Sequence, residues 1–574
     1  MMTYNPSSFF LPFLAVVMLS TSVYAQTQPD AGTLLRDMPQ TPAEIQTVPD
    51  RHRLPPPLPD TGTTIELQRV EFEGFEGMAS EAELQALVAD AIGQSLGFNG
   101  LQHLADRVTQ HLKDKGYFLA FAYLPEQDIS DGVLRILVQP GRVAGTGQWI
   151  RARDRGEDVR IPLTDRRINN TLNHFLRPGD DTPVHTLRME RGLLLINDLS
   201  GISAQANLER GSVPGTTNVR VRLQETPRYT GNVWADNYGN RYTGEARLNA
   251  LGNVNNATGM GDQLTGMVSL TEWMRFVRLG YTSPIGYTGL TGELAASYMT
   301  YELGKELKSL DYEGQATTFS ARLRYPLIRS RLNNLYVQGG YEHKDLEDEQ
   351  NRVTIRERTF HNLDLGLEGD RLDQFLGGGL MNYGLSLTWA DLSHEQNADL
   401  DGPFSKLNFN FSRLQKLTDR TSLLLRTTGQ FAFDNLDSSE QFSVGGPNSV
   451  RAYPGGEISG DHGWQATVEA RYDVPGFQLG GADLQLNAFY DAGGVTLDRE
   501  DSSNAANINT NATNTPVIMG AGFGASLTRA QHFSLRTSVA FKLNDEVEDR
   551  RFGDRDADGK SRDPRLWIQA MLWF

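Results

Sequence analysis

The chain ends PRLWIQAMLWF over Pro564–Phe574, and this stretch decides how the last 347 residues are read. Successive side chains of an extended strand point to opposite sides. Leu566, Ile568, Ala570, Leu572 and Phe574 therefore share one face. Such a strand is half apolar and half mixed, and it stops on an aromatic residue.

The same texture runs upstream to Arg228. Alternating segments of about ten residues recur between turn residues. They include Tyr229 to Asn237, Gln263 to Leu270, Thr318 to Tyr325, Leu335 to Tyr341 and Leu423 to Phe433. Others are Thr467 to Val474, Leu484 to Asp491, Ile518 to Ser526 and Phe533 to Leu543. The count over 228–574 is 16 segments, about 22 residues for each strand and its connection. Connections alternate in length: Gln531-His532 is tight, whereas Val495 to Thr515 and Asn544 to Asp563 are long and polar. An even number of strands with short turns at one end and long loops at the other predicts a transmembrane antiparallel β-barrel of 16 strands over 227–574. A terminal aromatic on the last strand is typical of barrels assembled into an outer membrane, so assembly machinery is expected to engage the strand ending at Phe574.

Bulk composition conceals this. The hydrophobic fraction is 39% and the formal charge −17. Beyond the N-terminus no run approaches the ~20 apolar residues of a membrane helix. Barrel strands alternate lipid-facing and lumen-facing residues, which keeps their mean hydropathy low. There is no cysteine, which excludes disulfides, thiolate metal sites and cysteine nucleophiles. The acidic balance argues against a nucleic-acid partner.

Phe9 to Leu19 is an apolar run broken by Pro12, too short to span a bilayer. Val23-Tyr24-Ala25 then resembles a signal-peptidase site, with Gln26 as the new N-terminus, so 1–25 is read as an export signal. Its first residues lack Lys and Arg, which leaves the true start codon open. Within 26–62 a short helix is expected over Gly32 to Met38. Thr41 to Gly62, with Pro55-Pro56-Pro57, reads as a semi-rigid spacer.

Residues 63–226 carry helical stripes. Leu84, Leu87, Val88 and Ile92 form one; Leu101, Leu104, Ala105, Val108 and Leu112 form another. They lie between a strand containing Ile65 to Phe72 and a strand pair, Tyr117 to Leu124 with Val133 to Val138. The same order of strand, helix, helix, strand, strand recurs. It comprises a weak strand near Val143 to Ile150, a stripe of Ile168, Leu172 and Phe175, and a helix from Leu187 to Asn197. Strands Ser203 to Arg210 and Asn218 to Glu225 complete it. Two copies of one α+β module are thus expected, at 63–140 and 141–226.

Two short motifs carry a family resemblance. Gly445-Gly446 precedes Val450-Arg451-Ala452-Tyr453 in the connection after the eleventh strand. Two strands later comes Phe489-Tyr490-Asp491-Ala492-Gly493. They resemble the VRGY motif of loop 6 and the FxDxG motif of a late strand in the POTRA-plus-barrel outer-membrane superfamily, with Ala452 in place of the usual glycine. AFAYLPEQDISDGVLRILVQPGRV, over Ala120 to Val143, looks like the end of a first POTRA domain. LRMERGLLLINDL, over Leu187 to Leu199, looks like part of a second. Together with the proline-rich spacer, the resemblance covers nearly the whole mature chain. It points to the TpsB two-partner secretion (type Vb) transporters, the group of the haemolysin activator and filamentous haemagglutinin secretion proteins.

That resemblance implies an outer-membrane pore with its POTRA domains in the periplasm. The pore would recognise and export one large partner exoprotein (haemolysin, adhesin or contact-dependent toxin), unfolded in transit and without ATP. It also implies that Arg451 and Asp491 hold loop 6 inside the barrel. The chemistry fits, because guanidinium offers a planar fork that matches a carboxylate. Val450, Tyr453, Phe489 and Gly493 complete the implied anchor. Tyr453 and Phe489 would pack around it, or else be ordinary lipid- or core-facing aromatics. Residues 32–38 resemble a short version of the family's plug helix. The open sheet edges of the POTRA domains are the expected substrate-binding sites, since an extended chain can add a strand there; the sequence singles out no individual residues.

An insertase of the same superfamily that assembles outer-membrane proteins is the alternative. A passive porin would not need the two N-terminal modules. No catalytic set, cofactor motif or metal-ligand spacing stands out. GDRDADGKS, over Gly553 to Ser561, has one residue too many for a phosphate loop. Asp554, Asp556, Asp558 and Gly559 imitate a calcium loop, but Arg565 stands at the twelfth position. The stretch is therefore expected to be a solvated outer loop.

Overall fold

A computed structural model describes residues 29–36, 38, 64–145, 150–153, 162–394, 400–477, 479–499, 514–544 and 555–574. The export signal and the proline-rich spacer of the sequence reading lie outside these residues.

Sixteen antiparallel strands close into one barrel. They are β1 Tyr229–Asp236, β2 Arg247–Asn255, β3 Gln263–Leu270, β4 Met274–Ile285, β5 Leu290–Glu302, β6 Tyr312–Arg329, β7 Asn333–Gln350 and β8 Val353–Asp373. Then follow β9 Gly379–Ser393, β10 Gly402–Lys416, β11 Thr421–Ala432, β12 His462–Asp473, β13 Asp483–Thr496, β14 Val517–Arg529, β15 Phe533–Lys542 and β16 Arg565–Trp573. Closure joins β1 to β16, from Asn232↔Trp573 to Asp236↔Gln569. The terminal strand holds the expected face outward, with Leu566, Ile568, Leu572 and Phe574 all exposed. Trp567 and Met571, one residue out of phase, are buried inside.

Strands β6, β7 and β8 run 18, 18 and 21 residues, well beyond the ten-residue segments of the sequence reading. The apolar alternation stops where the lipid band stops. Pairing continues past it through polar residues such as Glu347 and Glu357, which face each other across β7 and β8.

Two α+β units precede the barrel. In the first, Arg69–Glu73 pairs parallel with Val133–Gln139, which pairs antiparallel with Phe121–Tyr123. Helices α2 (Glu81–Val88) and α3 (Phe98–Asp114) cover that sheet. Ser80 caps α2 reciprocally with Glu83, satisfying two otherwise orphaned backbone donors. In the second unit, the strand expected over Val143 to Ile150 is instead two short ones, Arg142–Val143 and Ile150–Arg153. Both lie parallel to Thr216–Glu225. Helices α4 (Pro162–Leu176) and α5 (Thr186–Asn197) accompany them.

The second unit grips the barrel rim. Arg191 on α5 donates to the carbonyls of Pro326 and Leu327 at 2.6 and 3.0 Å. Asp198 receives a fork from Arg329 at 2.7 and 2.9 Å. Helix α1 (Ala31–Arg36) lies inside the barrel against β5, β6 and β7.

Candidate functional site

The connection between β11 and β12 (433–461) folds back into the lumen around a small hairpin, Phe442–Val444 with Ile458–Gly460. Its turn presents Arg451 to the wall formed by β12 and β13. Arg451 Nε donates to Asp491 Oδ2 at 2.8 Å and Nη2 to Oδ1 at 3.0 Å, the two-pronged geometry lysine cannot make. The third nitrogen, Nη1, reaches Glu469 Oε2 at 2.7 Å. The guanidinium lies over the Phe489 ring, 3.3 Å from its centroid. Phe489, Asp491 and Gly493 alternate along β13 and so all face inward. A Cβ at Gly493 would meet Val444 at 2.6 Å, so glycine is what lets the hairpin approach the wall.

Val450 and Tyr453 are fully buried in a cluster with Val444, Phe489 and Ile518. The Tyr453 hydroxyl donates to the Asn544 carbonyl at 2.7 Å. Both motif aromatics thus sit inside the barrel and away from lipid. Ala452 lacks a positive φ, so its backbone does not require glycine. Its methyl uses space left by Gly520, where an added Cβ would lie 2.5 Å away. Burial alone would lower the pKa of Arg451; its bonds to Asp491 and the Glu469 charge raise it above the usual arginine value.

Four partners escaped the sequence reading. Thr467 donates to Asp491 at 2.9 Å, Glu469 takes Arg451, and Arg471 donates to Glu469 at 2.8 Å. Trp567 of β16 donates to the Arg451 carbonyl at 2.8 Å. The first three alternate on β12, directly opposite the FYDAG strand (Thr467↔Asp491, Glu469↔Phe489). That alternation was a usable signal.

A second mooring holds α1. Arg358 is fully buried and donates to three carboxylates: Asp348 at 2.7 Å, Asp437 at 2.9 Å and Asp30 at 3.1 Å. Arg356 pairs with Asp437 at 2.6 Å and approaches Asp30 at 3.5 Å. Three carboxylates thus share two arginines. Burial opposes the charge on Asp30, but Arg358 and Ser438 outweigh it and hold the carboxyl well below the usual range. Arg36 closes the other end of α1, donating to the Ser438 and Gln441 carbonyls at 3.1 and 2.8 Å. Helix and loop limb are therefore tied to each other as well as to the wall. Nearby, Glu440 is inserted between Lys344 and Lys406.

The loop carrying Asp556 and Asp558 is not the solvated segment expected. Asp556 is fully buried on Arg565 (2.9 Å) and Lys542, and Asp558 pairs with Arg565 at 3.0 Å. Asp554 lies outside the described residues. Sequence reasoning failed because the cations that compensate these charges come from β15 and β16. The loop also meets the tip of the β11–β12 connection: Ala557 N donates to Glu457 at 2.9 Å. Burial raises the Glu457 pKa to about 7, with Asp556 and Asp558 adding repulsion.

Among the described residues, no further strand pairs with the outer edges of the first unit's three-stranded sheet, where substrate binding is expected. Its outer strands are Arg69–Glu73 and Phe121–Tyr123, and the second exposes both aromatic rings.

Residues 215–527 match the family model of haemolysin secretion/activation protein ShlB/FhaC/HecB, and 65–141 match the ShlB-type POTRA domain. The heme/hemopexin transporter protein HuxB of Haemophilus influenzae (strain 86-028NP) is 27% identical over 92% of this chain and 94% of its own. The outer membrane transporter CdiB of Escherichia coli O6:K15:H31 (strain 536 / UPEC) is 28% identical over 86% and 84%. The solved structure of CdiB from Escherichia coli superposes with a TM-score of 0.69, covering 95% of each chain at 24% identity.

Proposed function

Because this chain belongs to the haemolysin secretion/activation protein family, we propose that it carries one large exoprotein from the periplasm to the cell surface. It is an outer-membrane two-partner secretion transporter, with its POTRA region on the periplasmic side. The related proteins are named as transporters of heme/hemopexin and haemolysin systems. For this chain the cargo class is a secreted partner, unfolded in transit.

We read 63–140 and 141–226 as two POTRA domains and 227–574 as the barrel. The partner adds a strand to a free POTRA edge, for which Phe121–Tyr123, with its exposed rings, is well suited. Val450, Arg451, Tyr453, Phe489, Asp491 and Gly493 anchor the β11–β12 connection in the lumen. The observation that carries the transport reading is the filling of the lumen. A helix and a long connection occupy it, held largely by side-chain contacts that can part without unfolding the wall. A passive pore has no use for such a stopper.

The test is secretion of a candidate partner into the medium. Wild type, Arg451→Ala and a deletion of 64–139 are compared at equal surface level. Export by wild type and failure of both variants is the expected result. Export unchanged without this protein, combined with poor assembly of other barrels, would transfer the assignment to an insertase.

A further inference from the structure

The interior of a membrane barrel is ordinarily polar. Here one sector is not. Phe276, Met299, Ala316 and Leu346 stand directly across from one another on β4 to β7, a continuous inward-facing row that ends at Arg358 on β8. Trp234 and Leu251 on β1 and β2, Met267 on β3 and Met571 on β16 extend the same buried cluster. Methionine is concentrated there. Of 13 methionines, three lie within the first 25 residues, leaving ten. Five of those ten (Met38, Met267, Met274, Met299 and Met571) belong to this cluster.

Beside the apolar row, Asn232, Asn249 and Ser269 face the lumen from β1 to β3. Asn232 and Asn249 Oδ1 and Ser269 Oγ are buried without a hydrogen-bond partner among the described residues. Stability alone does not call for bare amide and hydroxyl oxygens beside an apolar face, since buried polar groups are normally paired. Helix α1 shows what the sector accepts. It lays Ala31 and Leu34 on the apolar row and its backbone against polar groups, with Ala31 N donating to Asp348 at 3.2 Å.

We infer that this sector is the contact line of the exported chain once α1 has left. Apolar side chains of the passing polypeptide rest on the methionine row, and its peptide groups bond Asn232, Asn249 and Ser269. Methionine is unbranched and polarizable, so it adapts to side chains of many shapes without holding any one tightly. That property suits a surface over which a long, varied sequence slides. The inference rests on the transport reading and names the part of the lumen that does the work.

The experiment uses a variant lacking residues 29–38 in planar bilayers. The probes are two unstructured synthetic peptides of equal length and charge. One alternates leucine with serine; the other alternates asparagine with serine. Blockades by the leucine peptide are expected to last about tenfold longer, the effect of partly burying one such side chain at a time. Met267→Gln with Met299→Gln should abolish the difference at unchanged conductance, whereas Asn408→Gln on the far wall should leave it intact. A photoreactive residue at Met571 gives a second reading independent of those variants, and it should label the leucine peptide preferentially. Equal blockade times for both peptides, or a ratio untouched by the methionine changes, would overturn the inference alone. If neither peptide blocks the pore at all, the transport reading itself is at fault.

Discussion

The Arg451 and Arg358 moorings use the same chemistry and differ in charge balance. At the first, Arg451 and Arg471 pair with Asp491 and Glu469, and Arg426 adds a further positive charge beside them, so no carboxylate is in excess. Removing any member strands a partner in a confined site. At the second, Arg356 and Arg358 face Asp30, Asp348 and Asp437, so one carboxylate is in excess. Asp30 is the only one of the three that α1 carries. When α1 leaves, the wall and loop residues it abandons are matched one for one. A contact whose departure leaves matched charges behind can be given up.

The most severe break of this contrast is Arg451→Ala. It leaves Asp491 with the Thr467 hydroxyl and the backbone N–H of residue 451 but no counter-charge from the loop, and should cost about 3–5 kcal/mol, the range for stranding one member of a buried pair. Lumenal water would bring the cost toward the lower end. Resistance of the folded barrel to heat in detergent measures it, and wild-type resistance would mean the pair is ornamental.

A smaller loss is expected from Gly520→Ala, whose new methyl collides with that of Ala452. A cost of about 1–3 kcal/mol is typical of such overpacking. Ala452→Gly in the same chain should recover most of it. A double variant no better than the single would show that the two sites do not touch.

The Glu457 contact sharpens the comparison through pH. Its folded value is raised to about 7 from an ordinary 4.5, so between these values the folded state holds a proton that the unfolded chain has released. Stability from this contact is therefore greatest below about pH 4.5, falls as pH rises toward 7, and is flat above. The loss is on the order of 3 kcal/mol. Glu457→Gln should flatten the profile of thermal midpoint against pH and raise its neutral end.

The mildest effect on stability is expected from Asp30→Asn, about 1–2 kcal/mol, because Arg358 and Ser438 lose a charged acceptor while the amide oxygen still accepts from them. Its consequence is functional, a several-fold rise in the open fraction of single channels. Unchanged gating would mean that the apolar contacts of Ala31 and Leu34 alone seat the helix.

Period-two alternation located the barrel and its terminal strand, because lipid on one side and lumen on the other impose that period on every strand. Helical stripes located the two α+β units for the analogous reason. The motif residues from Val450 to Tyr453 and from Phe489 to Gly493 were legible through family resemblance, and the geometry brings them together. The lengths of β6 to β8 were not legible, since pairing beyond the lipid band leaves no apolar trace. Nor were Glu469, Arg471 and Trp567 as partners of Arg451, or the burial of Asp556 and Asp558. A charged residue reads as solvated until its counter-charge is found. Here the counter-charges lie on other strands or loops, in the case of Asp30 and Arg358 more than three hundred residues away. Local sequence determined which segments cross the membrane and which face of each is apolar, because those depend on neighbours along the chain. Tertiary structure decided which charges meet inside the barrel and whether a mooring can let go, because both depend on the sum of charges that closure of the barrel brings to one place.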